Sequence, residues 1–516
     1  MLKRMMMMAV LAAILGLAVG TAQADVFYVR GDGLGDDGFD GLSWSTAWSS
    51  LDYALNSVSY DTPTTVNVQA SAPGQAYVDV AQRATSGRPA ELYVDFEGGW
   101  TDIDTAPAQT SRSLVSDLSG TASQAGFTLT GNNHDQPKEI GINRFDFADV
   151  TSAVNIQHPS ALDSSPITLT LTNSSVEAQN DGIRLDFSGS GQTRYARLIA
   201  DNVVISAGLG GPGDGIYIAG QPDGTVIENA DITSADGKGV HFRVYGHSAN
   251  WGPGHEVVIR DTVVHGSASD GIWHGDINEN PHYNTPGALT LERVALFENS
   301  GHGLYVLRRQ GSGGQPMNVD LTNTLIARNE GSGVWLEGDD GGNNAQLVLS
   351  VLNSTIADND ETALYLWAYQ PNNNSATVLN SIIAGVGDGL LVHDTSADGP
   401  VINEEYNNFF VMGNELVRIG DDGTTYPVLD ITDLVSDPLF SGLLGEEYRL
   451  LGASPAIDAA NPDYAPLDDI TGALRPLGLG PDMGAYEGGV AAPISEPAGL
   501  SLLGMALLGL KRKRRR

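Results

Sequence analysis

From Glu298 to Trp367 the chain reads "ENSGHGLYVLRRQGSGGQPMNVDLTNTLIARNEGSGVWLEGDDGGNNAQLVLSVLNSTIADNDETALYLW", and this stretch says one thing three times. "NSGHGLYV", "EGSGVWL" and "NDETALYL" align on Gly303, Gly333 and Ala363, at spacings of 30 residues, with "LTNTLI" and "VLNSTI" between them. Runs of three to five residues with alternating apolar positions, punctuated by Gly and Asn, predict short strands joined by tight turns. A unit of this size cannot bury its apolar face alone, so it must stack on copies of itself.

The register extends in both directions. The small residue recurs at Ala153, Gly182, Gly215, Gly239, Gly271, Gly303, Gly333, Ala363 and Gly389, with spacings between 24 and 33 residues. About ten residues upstream sits an apolar-x-Asn-x-apolar-apolar phrase, with Asn173, Asn202, Asn229, Asn323, Asn353 and Asn380, and with Asp261 and Arg293 in two exceptions. If the residue after each small one points inward (Ile183, Ile216, Val240, Ile272, Leu304, Val334, Leu364), strand alternation turns the next one outward. Those outward residues are Arg184, Tyr217, His241, Trp273, Tyr305, Trp335 and Tyr365.

The repeated phrases resemble the right-handed parallel β-helix of the pectin-lyase-like superfamily. That resemblance implies an all-β, single-stranded solenoid of about nine or more coils, with Asn ladders at one turn. "GDGLGDDGFDGLSWSTAWSSLDYAL" is similar to the superfamily's amino-terminal segment, and places Trp48, Leu51, Ala54, Leu55 and Val58 on one face of a capping helix. "DPLF", "SPAIDAA", "DITGALRP" and "PDMGAYE" resemble the closing segment of the choice-of-anchor Q group of secreted β-helix proteins. The expected divisions are a cap with irregular first coils over 25–150, regular coils over 151–435 and a closing segment over 436–489.

The two ends read as addresses. Lys3 and Arg4, the apolar run Met5 to Gly20 and the small-residue site Ala22-Gln23-Ala24 form the three parts of a secretory signal over 1–24. The last stretch, 490–516, holds Ser495-Glu496-Pro497, an apolar run and the basic cluster Lys511 to Arg516. It resembles the PEP-CTERM sorting tail, although the first proline of that motif is missing. The resemblance implies processing by an exosortase-type enzyme, transient residence in the inner membrane, and delivery to the cell surface or extracellular matrix. The apolar run is too short for a comfortable permanent anchor, since a spanning helix needs about 20 such residues.

Between signal and tail the chain has 19 basic and 62 acidic residues, so nucleic acid is a poor partner and so is an anionic membrane surface. Cysteine is absent, which excludes disulfides and thiolate chemistry.

The outward residues Tyr217, His241, Trp273, Tyr305, Trp335 and Tyr365 form a candidate glycan-binding ladder of six rings, coils being about 4.8 Å apart. The longest insertions follow this strand: "YGHSANWGPGH", "GDINENPHYNTPG", "RRQGSGGQP" and "EGDDGGNN". Seven of the ten histidines (His241, His247, His255, His265, His274, His282, His302) fall within 62 residues of sequence, and 238–310 is nearly neutral inside an acidic chain. A local exception in charge marks a candidate site. Asp270 and Asp276 are candidates for a carboxylate pair doing acid and base work, with Lys238, His241 and Arg243 as candidate base or charge stabiliser and His302 and Arg308 nearby. His274 belongs to the same candidate set, but reads better as a hydrogen-bonded structural histidine pointing into the coil. Asp32, Asp36, Asp37 and Asp40 form an oxygen-rich loop that suits Ca²⁺, although it lacks the full EF-hand spacing and reads at least as well as a solvated turn.

Three functions follow from these readings. The first is an exported, surface-sorted protein that binds extracellular polysaccharide or contributes to its matrix. The second is a polysaccharide lyase or glycoside hydrolase acting through 238–310, and the third is an adhesin or structural spacer without ligand.

Overall fold

A computed structural model describes the chain from Asp25 to Gly488, apart from the segments 59–62, 72–75, 78–81, 87–92, 117–125, 133–137, 158–166, 188–194, 245–254, 277–286, 309–315, 339–345, 369–373, 395–400, 421–422 and 443–446. The signal and tail therefore lie outside the described residues, as do most of the four long insertions.

Each small residue of the repeat stands immediately before a short strand, such as Ile183–Asp186, Ile216–Gly220, Val240–Val244, Ile272–Asp276, Leu304–Arg308, Val334–Gly338 and Leu364–Ala368. These strands stack in parallel, Ile183 pairing with Ile216, Ile216 with Val240, Val240 with Ile272, and so on through Leu304, Val334, Leu364 and Leu390. Every residue of that column is buried, so the predicted inward register is the observed one. The protein is a parallel β-solenoid. Among the described residues its short-strand sheet has 13 strands, starting upstream of the regular repeats at Gln82–Ser86 and ending in the antiparallel turn-back of Gly423–Thr425.

The need for a small residue is steric. A Cβ on Gly182 would stand 2.5 Å from both the Gly215 carbonyl oxygen and Ile205 Cγ2, far inside van der Waals contact. The repeated Asn has a conformational cause. Asn173, Asn202, Asn229, Asn323, Asn353 and Asn380 all have φ between 44° and 54°, and Asp261 and Arg293 adopt the same bend at 50° and 55°. Asn and Asp enter the left-handed region at lower cost than other non-glycine residues. The bend divides a second, longer strand, as in Ile167–Ala178, so each regular coil has three straight segments.

Side-chain ladders follow the expected turn, Asn202 Nδ2 donating to Asn173 Oδ1 at 2.8 Å and Asn380 Nδ2 to Asn353 Oδ1 at 3.1 Å. A second ladder lies inside the coils at the next corner. There Asn299 donates to Asn329 at 2.9 Å and Asn329 to Asn359 at 2.8 Å, all three fully buried and each also bonded to a backbone carbonyl.

The amino-terminal cap is the helix Leu51–Ser57. Ser50 Oγ accepts the Tyr53 N–H at 3.0 Å, satisfying one orphan donor of the first turn. Leu51, Ala54 and Leu55 are buried on its inner face, while Trp48 and Val58, which the sequence placed on the same face, are buried but stand outside the helix, before its N-cap and at its C-cap.

The closing segment lies along the flank of the last coils. Asn323, Asn353 and Asn380 donate to the carbonyls of Asp468, Asp482 and Asn461, and the Asn461 N–H returns to Asn380 Oδ1. Beside this seam Tyr448, Ala456, Ala460 and Met483 pack on the outward Ala327, Ala357 and Ala384 as a second apolar cluster. A buried ion pair, Arg475 to Glu487 at 2.8 Å, pins the segment.

Candidate functional site

Strand register brings Arg184, Tyr217, His241, Trp273, Tyr305, Trp335 and Tyr365 into one continuous outward column. The rings do not form one uniform stack. Tyr217, His241, Trp273 and Tyr305 meet edge to face, at interplanar angles of 88°, 84° and 73°. Trp335 and Tyr365 stack face to face, 4.0 Å apart, and His302 stacks on Trp335 at 5.1 Å. Tyr217 is only 7% exposed and lies under the Arg184 guanidinium, 4.4 Å from its ring centre.

Trp273 has a particular posture. A Cβ on Gly275 would stand 2.1 to 2.7 Å from three atoms of its benzo ring, so the indole lies down across the Gly275 backbone. One face rests on the sheet, and the Lys238 ammonium stands over the ring at 5.9 Å from its centre.

A second outward column runs beside the first and was not singled out in the sequence. It consists of Asp186, Ala219, Arg243, Gly275, Leu307, Glu337, Trp367 and His393, in register. Counting two residues beyond each member of the first column finds it, because alternation returns to the same face. Glu337 ties the columns together by accepting from Tyr305 Oη at 2.8 Å and from Trp335 Nε1 at 3.3 Å.

His241 sits at the edge of the Trp273 platform with Nδ1 2.6 Å from Asp214 Oδ2. The other Asp214 oxygen accepts the Lys238 backbone N–H at 2.8 Å. Burial alone would raise the Asp214 carboxyl, but the hydrogen bond and charge of His241 and the Lys238 contacts outweigh it, so it titrates below its ordinary value. Sequence reasoning missed Asp214; its signal is an Asp directly before the small residue of the preceding coil.

Asp270 is held by the backbone of the next coil. It is nearly buried, and its Oδ1 accepts the His302 N–H of the next coil at 2.9 Å, as Asp181 does for the Asp214 N–H at 2.8 Å. His302 Nδ1 in turn accepts the Ser332 N–H at 2.9 Å. Asp276 ends its strand opposite Val244, and its side chain lies outside the described residues. Arg243 is half-buried in the second column.

His274 points into the coil and meets His255, Nε2 to Nε2 at 3.1 Å, both rings buried. Burial, reinforced by the nearby Arg308 charge, pushes His274 down to about 3, and His255 falls well below its ordinary value for the same reasons and from the His274 charge. His265 lies on the other sheet, bonded to Asp231 at 3.0 Å and stacked on Phe297. His247 and His282 are outside the described residues.

In the aspartate-rich loop each carboxylate serves the fold. Asp32 pairs with Arg30, Asp36 and Asp40 accept the N–H groups of Gly38 and Leu42, and Asp37 accepts from Ser49 and Ser50. Among the described residues no three His, Cys, Asp or Glu converge as metal ligands.

No family model matches this chain, and no curated protein matches it. Among solved structures it is similar to the crystal structure of pectate lyase Pel9A, at 14% identity and a TM-score of 0.39, over 91% of this chain and 97% of that one.

Proposed function

We propose that the outward face of the short-strand sheet binds a neutral or weakly charged extracellular glycan, lying along the solenoid axis over the two columns. The observation that supports this reading is the Trp273 indole laid flat over Gly275, an apolar plate in the middle of a column of rings. A sugar ring covering on the order of 40 Å² of such a plate gains roughly 1 kcal/mol at about 25 cal/mol per Å². Three or four contacts, less the ordering of the chain, correspond to affinities from about millimolar to about micromolar. The formal net charge of −36 disfavours a strongly anionic polymer unless a cation such as Ca²⁺ bridges it. The signal-like and tail-like ends support export, processing by an exosortase-type enzyme and a surface location, where such a glycan is found.

The test is a glycan-array screen followed by titration of the best ligand. Trp273→Ala with Tyr305→Ala should weaken binding at least tenfold, while Thr168→Ala with Thr170→Ala on the long-strand sheet should leave it unchanged. Equal affinity in both double variants would mean that the rings only pack on one another.

A further inference from the structure

We propose that Asp214 and His241 form a general-base centre that hydrolyses acyl esters carried by the glycan on the Trp273 platform. This inference rests on the glycan-binding reading for its substrate and on the dyad's geometry for its chemistry.

The Asp214 carboxylate is fixed from two sides. One oxygen takes the Lys238 backbone N–H, and the other lies 2.6 Å from His241 Nδ1. A carboxylate there puts the proton of neutral imidazole on Nδ1 and leaves the lone pair on Nε2. Among the described residues His241 Nε2 has no protein partner, and it is not among the buried polar atoms. The ring is held between Tyr217 and Trp273, edge to face with both, so its orientation is set before any ligand arrives. His302, two coils further along beside Tyr305 and Trp335, presents the opposite tautomer: its Nδ1 accepts the Ser332 N–H, which leaves a donor on Nε2. A positioned imidazole whose far nitrogen is held by a carboxylate is the arrangement that accepts protons in hydrolytic sites.

The kind of bond follows from the kind of catalyst. Acetal cleavage requires a proton delivered to the leaving oxygen at the outset, whereas an ester carbonyl yields to water activated by a base. His241 Nε2 takes a proton from water as the water oxygen adds to the acyl carbon. The tetrahedral oxyanion forms beside the Lys238 ammonium, which already stands over the Trp273 ring. Collapse breaks the bond from the acyl carbon to the sugar oxygen, and the imidazolium returns its proton to that oxygen. The products are a free sugar hydroxyl and a carboxylic acid. Water is the only co-reactant. An esterified neutral glycan is not repelled by this acidic protein, while the released carboxylate is.

The experiment uses the whole protein with O-acetylated glucomannan, with its deacetylated form as the binding probe and 4-nitrophenyl acetate as a small ester. The wild-type protein should release acetate from the polymer. His241→Gln should lower that release by about 10²- to 10⁴-fold while binding of the deacetylated polymer persists. Asp214→Asn, which disturbs positioning, should lower kcat with little change in KM. Trp273→Ala should raise KM for the polymer and, because the indole also holds the His241 ring, lower nitrophenyl acetate hydrolysis as well. Binding without acetate release would overturn this inference and leave the glycan-binding reading standing. Acetate release unaffected by His241→Gln would overturn it as well, as would unsaturated sugar ends appearing in place of acetate. Hydrolysis of 4-nitrophenyl acetate without polymer binding would overturn the binding reading and with it the assigned substrate.

Discussion

Two flanks of the same coils are finished in opposite ways. On the long-strand flank the outward residues Ala327, Ala357 and Ala384 are small, and the chain's own closing segment covers them with Tyr448, Ala456, Ala460 and Met483. On the short-strand flank the outward residues of neighbouring coils are Tyr305, Trp335 and Tyr365, which remain half-exposed. Small outward side chains let a backbone approach and be gripped by the Asn bends. Large rings hold it off and offer apolar area to something else. One flank completes the fold, and the other keeps its rings open to solvent.

The comparison breaks first where both flanks share a core. Ile272 lies inward and fully buried beneath the Trp273 platform. Ile272→Asp should cost roughly 4 kcal/mol through an unpaired buried charge and lower the thermal midpoint of the whole solenoid. A parent-like melt would contradict the register. A narrower break affects one flank alone. Arg475 and Glu487 are 1% and 0% exposed, so Arg475→Met leaves a buried carboxylate and should cost about 3 kcal/mol. Limited proteolysis should then cut within the closing segment while the short-strand sheet stays protected. Simultaneous loss of both would show that the flanks are one cooperative unit.

Much of this division was legible in the sequence. At Gly182 and the glycines equivalent to it a Cβ would meet the next coil's carbonyl oxygen, and only Ala replaces Gly at this position of the repeat, so the repeat and the inward register could be read directly. The bend was also legible, because Asn marks the left-handed position in six coils, and Arg293 was placed there by spacing alone. The site was less legible. Asp214 reaches His241 from the coil before it, a contact across 27 residues that no local pattern announces. In the sequence Asp270 reads as one half of a candidate carboxylate pair with Asp276. Its actual partner, the His302 backbone N–H, could not be seen without the stacking of coils. The second column was hidden because its members, from Ala219 to Trp367, share no residue type.

Acid should separate core from surface. His274 titrates at about 3 and His255 well below its ordinary value, because burial disfavours their charged forms. Above about pH 6.5 both rings are neutral in folded and unfolded chains, and the folded state loses nothing. As pH falls below that, the unfolded chain takes up protons that the folded one refuses, so stability is lost progressively down to about 3. At pH 5 the loss from His274 should be about 2 kcal/mol. Urea unfolding at pH 7 and pH 5 measures it, and His255→Leu with His274→Leu should flatten the difference.

The smallest effect tests whether the two halves of the ring column do different work. Trp273 meets its neighbours edge to face and lies over Gly275, while Tyr365 spends one face on Trp335 at 4.0 Å. A ring whose face is already stacked has less area to give a sugar. Trp273→Ala should therefore weaken glycan binding by about 1 kcal/mol, and Tyr365→Ala by about half that. Stability should rank the other way for the stacking contribution, since losing the Trp335–Tyr365 pair costs about 1 kcal/mol beyond area burial. Titration of both variants with one ligand, beside their melting curves, gives the two rankings. Equal losses of affinity would make the column a uniform platform and remove any special standing of Trp273. A larger loss at Tyr365 would move the centre of the site toward Trp367 and His393, whose rings lie 6.1 Å apart in the neighbouring column.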